Sequence, residues 1–455
     1  MLDNSSSITQ YLVSNIYFIN KASTVNKKNI NNSCEDILAF VLVGGEGRRL
    51  LPLTESNCKP SVAFGMDNCI VDFVISNLIN SGINKIYLVA QYKPASLLSH
   101  INEKWNDHNI HSSGFIEVID SNTNDHDEMY MGTADAVYKN IDKIYDHNIK
   151  HVAVFSADHI YRMNVQQMFD YHLDVAADVT ISTISVPVAR ASSLGVLKLD
   201  DNNQITEFYE KPDNPVTLPG SDCLSQTSMG NYIFTKDILL QVHEISRYRA
   251  DIDFGHDVIG WLIKVYSVYS YDFKNNKIPG LQDYEDPTYW YDVGTLGTYW
   301  QAYQDLLGYK PKLKLDNPLW PIGKTRQSGE RVYDNCLVSY DARYEQALIK
   351  NSIIRSNVIL EKDVVVEDSI LLGDVTIKSG ARIKNTIIDQ YNVIRENEHI
   401  GYDVEKDKAR YFIDDSGIVV VASGSGEPGM SVQEFQGIAY VEDERYDSNQ
   451  NNTSH

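Results

Sequence analysis

Residues Phe40 to Leu53 read FVLVGGEGRRLLPL, and Lys59-Pro60 follows shortly after. A short apolar run suited to a buried strand gives way to Gly44, Gly45 and Gly47, then to Arg48 and Arg49. Glycine lets a backbone approach an anion closely, and successive free N–H groups make a concave anion-binding turn. Arg48, Arg49 and Lys59 add positive charge. The pattern predicts a loop that holds the phosphates of a nucleotide or sugar nucleotide, and its plain alternative is a tight strand-to-helix connection. No Gly-Lys-Ser/Thr follows, and Leu50 stands where a dinucleotide fingerprint has its third glycine, so two common phosphate-binding motifs are excluded.

Outward from this loop, strand-like and helix-like segments alternate from Ile37 to about Leu307. ILAFVLVGG, INKIYLVAQ, HVAVFSAD and DVTISTISV read as strands, while IVDFVISNLINSG has helical spacing and ends in glycine. The alternation predicts an α/β sheet with strands mostly parallel, whose ligands sit beyond the carboxyl ends of the strands. The glycine loop, Gln91 and Asp158 fall at such ends. Residues 309–330 carry three prolines and no period, and read as a linker. Beyond them Ile353, Ile359, Val365, Leu371, Ile377 and Ile383 recur at every sixth position. After one five-residue step, Ile388, Ile394 and Ile400 resume the interval. A period of six suits neither a simple helix nor a hairpin and predicts a hexapeptide β-helix. The expected division is a flexible extension over 1–36, a catalytic domain over 37–308, the linker, a β-helix with its cap over 331–442, and a disordered tail over 443–455.

With 455 residues the chain exceeds what one core usually holds. Its formal net charge of -22 disfavours nucleic acid and anionic membranes, so an anionic substrate needs a local basic cluster. The five cysteines are scattered and odd in number, which predicts free thiols in a reducing compartment. No secretory leader and no apolar run of about 18 residues is visible, so a cytoplasmic location is expected.

An aspartate at a strand end facing a phosphate loop suits Mg²⁺, which prefers one or two protein carboxylates plus phosphate oxygens. Asp158 and Asp292 are the candidate pair, although each alone reads as a cap or turn residue. Lys211 is placed to hold a sugar phosphate and Glu210 to accept from sugar hydroxyls; the plain alternative is an exposed ion pair. Gly132 and Thr133 suit the approach of a base to the backbone, or a helix start.

In order along the chain, YMGTADAVYKN, SADHIY, LGVLKLD, FYEKP, SMGNYIF and YWYDVGTLGTYW follow the loop. Together they resemble the glucose-1-phosphate adenylyltransferase family, from Phe40 to about Gly401. The resemblance implies a Rossmann-like, GT-A-like nucleotidyltransferase domain followed by a left-handed parallel β-helix. It implies synthesis of ADP-glucose and pyrophosphate from ATP and glucose 1-phosphate for glycogen biosynthesis, with Mg²⁺. By the same resemblance, Tyr130, Gly195, Glu210, Lys211 and Ser228 meet glucose 1-phosphate. Gly44, Gly45, Gly47, Gln91, Gly132, Thr133 and Asp135 lie near the nucleotide, Asp158 and Asp292 hold the metal, and Arg49, Lys59, Asp158 and Lys211 serve catalysis. A homo-oligomer, by resemblance a tetramer, or a hetero-oligomer with a paralogue is expected, with no nucleic acid or membrane partner.

The chain also departs from the family pattern. Its loop reads GGEGRRL where GGRGTRL is common, so Glu46 replaces an arginine and Arg48 a threonine. Ser56, Asn57, Ala63 and Cys69 replace basic residues of the region that receives effectors, and Met131 and Tyr291 also replace arginines. These losses leave an alternative expectation of a weakly active or non-catalytic regulatory subunit.

Overall fold

The computed structural model describes residues 34–105, 114–121, 129–323, 330–333 and 335–424. The expected tail and residues 1–33 of the expected extension lie outside the described residues. Cys34–Asp36 form a short turn leading into the first strand, with Cys34 buried and Asp36 paired to Lys150 at 2.6 Å.

The strand Ile37–Val43 runs through the centre of the main sheet. Lys85–Ala90 and His151–Ser156 flank it in parallel, and Phe115–Asp120 extends the sheet beyond Lys85–Ala90. A parallel strand covered on both faces is apolar without alternation, and Ile37–Val41 are all fully buried. Beyond these strands, among the described residues of this sheet, only Val268–Asp272 pairs in parallel, with Val179–Pro187. Leu224–Thr235 lies antiparallel to both His151–Ser156 and Val179–Pro187, and Gly195–Leu199 pairs antiparallel with Ile205–Glu210. The sheet is therefore mixed rather than mostly parallel. The tight connection between Leu199 and Ile205 leaves room only for a hairpin, whereas parallel neighbours need a crossover of a dozen or more residues.

The repeat region is a parallel β-helix whose coils pair at a 17-residue interval, as between Asn351 and Asp368. The inward positions are Ile354, Leu360, Val366, Leu371, Ile377, Ile383, Ile388, Ile394 and Ile400, all buried. Three positions expected to face inward are thus displaced by one residue. Ile353 is buried on the opposite side, against the α/β half, and Ile359 is 36% exposed, while Val365 is half-buried. The register differs because each coil has two six-residue sides and one five-residue side, with five-residue steps at both Val366–Leu371 and Ile383–Ile388. Asn335, Asn351, Asp368 and Asn385 stack at one corner with left-handed backbone, a conformation that Asn and Asp tolerate best after glycine. Asn351 donates to Asp368 at 2.7 Å along this ladder. Past Gly401, the helix Val404–Lys408 and the strand Val419–Val421 close the end of the coil stack, the strand pairing in parallel with Thr386–Ile388.

The two halves share an apolar interface. Ile353, Ile370 and Ile387 pack with Phe64, Phe73, Tyr299 and Tyr303. The Arg355 guanidinium crosses the junction, donating to the carbonyls of Met66 at 2.7 Å and Asn68 at 3.1 Å. The irregular segment after Tyr309 is docked, with Leu313, Trp320 and Ile322 buried.

Candidate functional site

At the carboxyl ends of the parallel strands lies a cavity of about 600 Å³. Gly44 and Gly45 form one rim, Gln91 and Tyr130 to Thr133 another, and Lys59, Ser156 and Asp158 line it too. Lys211, Gly230, Tyr232 and Asp253 also line it.

Lys59 organises the site. It is buried, and its ammonium donates to Asp158 at 3.0 Å and to Asp292 at 2.9 Å. Burial opposes the charge on Lys59, but the two carboxylates outweigh it and raise the ammonium above its ordinary value. Burial also works against the Asp158 charge. His159 and Lys59 reverse that effect, aided by the Ser156 hydroxyl donating at 2.5 Å, and hold the carboxyl well below the usual range. Gly47 makes this approach possible. Its backbone is left-handed, and a Cβ there would lie 2.9 Å from Lys59 Cβ. Arg49 adjoins Asp292, since its Nη2 and Asp292 Oδ1 each lie 3.1 Å from where a Cβ of Gly294 would stand.

Asp158, His159 and Asp292 each offer a ligand atom within 4.8 Å of the others. Strand Trp290–Asp292 pairs with His159–Tyr161 and brings Asp292 opposite His159. The His159 ring stacks on Trp290 at 4.5 Å, and burial pulls its imidazole below the ordinary value against the opposing pull of the Asp158 and Asp292 carboxylates. Two carboxylates in such a cluster are an oxygen set that fits a hard divalent cation.

The sugar-side residues gather on the antiparallel strands. Glu210 is half-buried beside Gly195, and Lys211 Nζ lies 3.5 Å from its carboxylate. Burial raises Glu210 above its ordinary value, and the Asp253 carboxylate adds to this. Ser228 is buried and accepts from the Gly230 N–H at 3.1 Å, at an irregularity between Ser228 and Tyr232. Such bulges commonly re-aim residues beside active sites, and here Gly230 and Tyr232 reach the cavity while Ser228 sits behind them.

On the nucleotide side, Gly132 is required for a reason the sequence did not indicate. A Cβ there would come within 2.5 Å of the Ile252 carbonyl, which also accepts from the Ala134 and Asp135 N–H groups at 2.9 Å. Thr133 donates to Asp253 at 2.9 Å. The Asp135 carboxylate accepts from the Met131 N–H at 2.8 Å and pairs with Lys139 at 3.3 Å, so it shapes the loop and is not part of the cavity lining.

Two further features were not legible in the sequence. Glu46 accepts from Arg48 Nε at 2.6 Å, so the reversed charge in the glycine loop is neutralised within the loop. The Arg190 guanidinium lies 5.1 Å from the Trp290 ring and 5.5 Å from the Tyr291 ring, supplying a cation where an arginine was missing. No helix among the described residues is long and apolar enough to cross a membrane.

Comparison with known proteins agrees with both halves of the structure. A family described as "Nucleotidyl transferase" matches residues 38–308, and one described as "GlmU-like, C-terminal hexapeptide" matches residues 323–421. The coil stack is accordingly a left-handed β-helix of the hexapeptide kind. A glucose-1-phosphate adenylyltransferase of Thermodesulfovibrio yellowstonii is 42% identical over 392 residues, covering 85% of this chain and 95% of the relative. Those of Geobacter metallireducens and Thermus thermophilus are 39% and 40% identical, each covering 86% of this chain and 98% of the relative.

Proposed function

The chain belongs to the glucose-1-phosphate adenylyltransferase family, and from that premise we propose that it joins ATP and glucose 1-phosphate into ADP-glucose with release of pyrophosphate. ADP-glucose is then available as a glucosyl donor for glycogen. The observation that carries this reading is Lys59, which shares one cavity wall with Asp158, the glycine rim and Lys211, and which bridges Asp158 to Asp292.

In this reaction the phosphate of glucose 1-phosphate attacks the α-phosphorus of ATP. The attacking oxygen is already anionic, so no general base is needed, and catalysis rests on alignment and charge neutralisation. The Gly44–Gly45 rim cradles the triphosphate while Arg49 and Lys59 balance its charge. Gln91, Gly132 and Thr133 border the nucleotide end. Lys211 takes the sugar phosphate, Glu210 accepts from the sugar hydroxyls, and Tyr130 flanks them. Asp158 and Asp292 would hold Mg²⁺, which would supply Lewis-acid charge neutralisation for the phosphates. The Glu46–Arg48 pair favours the active enzyme over a non-catalytic subunit, because it leaves the loop neutral at this point instead of acidic. A homo-oligomer is part of the proposal.

Pyrophosphate release by the purified protein tests the reading. Turnover that needs ATP, glucose 1-phosphate and Mg²⁺ together supports it. Turnover seen only after a paralogue is added would support the regulatory-subunit alternative.

A further inference from the structure

A second cavity, of about 530 Å³, lies at the junction of the catalytic domain and the β-helix. Asn57, Ala63 and Cys69 line it, three of the four positions where basic effector-region residues were missing. Arg355, Asp389 and Tyr391 close it from the β-helix side.

Two side chains on this cavity, Cys69 and His100, form a chain of hydrogen bonds with the buried Asp72 behind them. Cys69 Sγ lies 3.5 Å from His100 Nδ1, and His100 Nε2 lies 2.8 Å from Asp72 Oδ1. Asp72 is buried, and its orientation is fixed twice more: Oδ1 accepts from the Trp105 indole N–H at 2.8 Å, and Oδ2 from the Cys69 N–H at 2.8 Å. A carboxylate only accepts, so Nε2 carries the proton and Nδ1 turns its lone pair to the sulfur. Burial works against a charged imidazole, yet a Cys69 thiolate and the Asp72 carboxylate together raise His100 to about 10, so the imidazolium holds the thiol proton while the thiolate stands beside it and can release it once the sulfur is no longer charged. A nucleophile, a base within reach and a third group orienting the base is the general arrangement of an activated nucleophile.

The same atoms also meet the distance criterion for a metal group. The hydrogen bonding argues against that use. One imidazole cannot offer both nitrogens to one ion, so with Nε2 committed to Asp72 only Cys69 and His100 remain as ligands, short of the usual set.

We propose that Cys69 is a nucleophilic modification site that undergoes thiol–disulfide exchange with small disulfides entering the interdomain cavity. The Cys69 sulfur attacks one sulfur of the disulfide, the S–S bond breaks, and the other sulfur leaves with the bonding pair. His100 takes the thiol proton and passes it to the departing thiolate. The products are a mixed disulfide on Cys69 and one free thiol, with no outside oxidant. The adduct lies in the cavity shared with Arg355.

Among the other cysteines, Cys34, Cys58 and Cys336 are buried and Cys223 is exposed, so Cys223 is the internal reference. The full-length protein is treated with 4,4′-dithiodipyridine, and labelling of each cysteine is followed by thiopyridone release and peptide mapping. The expected result is that Cys69 reacts at least about tenfold faster than the exposed Cys223, with His100→Gln removing that advantage and leaving the Cys223 rate unchanged. Cys69 reacting no faster than Cys223 in the unmodified protein would overturn the proposal without recourse to any variant. A His100→Gln protein that keeps the fast Cys69 reaction would overturn the role of the imidazole.

Discussion

Replacing Lys59 by methionine removes one charge with little change in volume, on the cavity wall between Asp158 and Asp292. Two unit charges about 4 Å apart at an effective dielectric of about 20 interact by about 4 kcal/mol, which corresponds to roughly a thousandfold in rate. That is an upper bound, because the Asp158 and Asp292 side chains are 35% and 32% exposed and solvent screens them. Halving the interaction leaves about 2 kcal/mol, or roughly thirtyfold. The turnover number of Lys59→Met should therefore fall by between roughly thirtyfold and roughly a thousandfold in a pyrophosphate-release assay at saturating substrates. The fold should survive. Removing one partner of a buried ion pair costs about 3–5 kcal/mol, and partial exposure of the carboxylates reduces this, so thermal unfolding should shift by several degrees without loss of the cooperative transition. A Lys59→Met protein turning over within about threefold of the parent would refute the assignment of charge neutralisation to this ammonium.

Other perturbations have their own signatures. Glu46→Gln should free Arg48 for the triphosphate and lower the KM for ATP by a few fold, as expected for an exposed pair worth about 0.2–1 kcal/mol; an unchanged KM would show that Arg48 does not reach the nucleotide. Gly132→Ala drives a methyl toward the Ile252 carbonyl and should cost about 1–3 kcal/mol of stability, read by denaturant unfolding, while raising the KM for ATP more than that for glucose 1-phosphate. Burial holds Asp389 up to about 7, so the carboxyl folds protonated. Its favourable contribution is complete at acid pH and is lost as pH rises from the ordinary carboxylate range to about 7. Asp389→Asn should flatten the pH dependence of the unfolding midpoint across that window, and an unaltered profile would place the titration elsewhere.

The sequence made some features legible because their signals are local. A strand running into glycines locates the anion-binding rim, and the repeat of isoleucines identifies the β-helix. The register of that repeat was harder to read, because Ile353 and Ile354 are both apolar and face different cores. One packs on the catalytic domain and the other fills the coil. Lys59, Asp158 and Asp292 could be named singly from strand ends and motifs, but their convergence depends on strand Trp290–Asp292 folding back onto His159–Tyr161. The Ile252 carbonyl that forces a glycine at 132 lies far along the chain, and no local period announces it. Cys69, Asp72 and His100 are likewise joined only because the helices Val71–Asn80 and Pro94–Lys104 bring them together. Glu46 read as a reversed charge because sequence does not show which way Arg48 points.

The central claim is that one cleft aligns the glucose 1-phosphate oxygen with the α-phosphorus of ATP. Incubation with α-³²P-labelled ATP, glucose 1-phosphate and Mg²⁺ tests it directly. The label should appear in ADP-glucose, with unlabelled pyrophosphate released in equal amount. Label recovered only in ATP and its hydrolysis products, under conditions where both substrates are saturating, would contradict it.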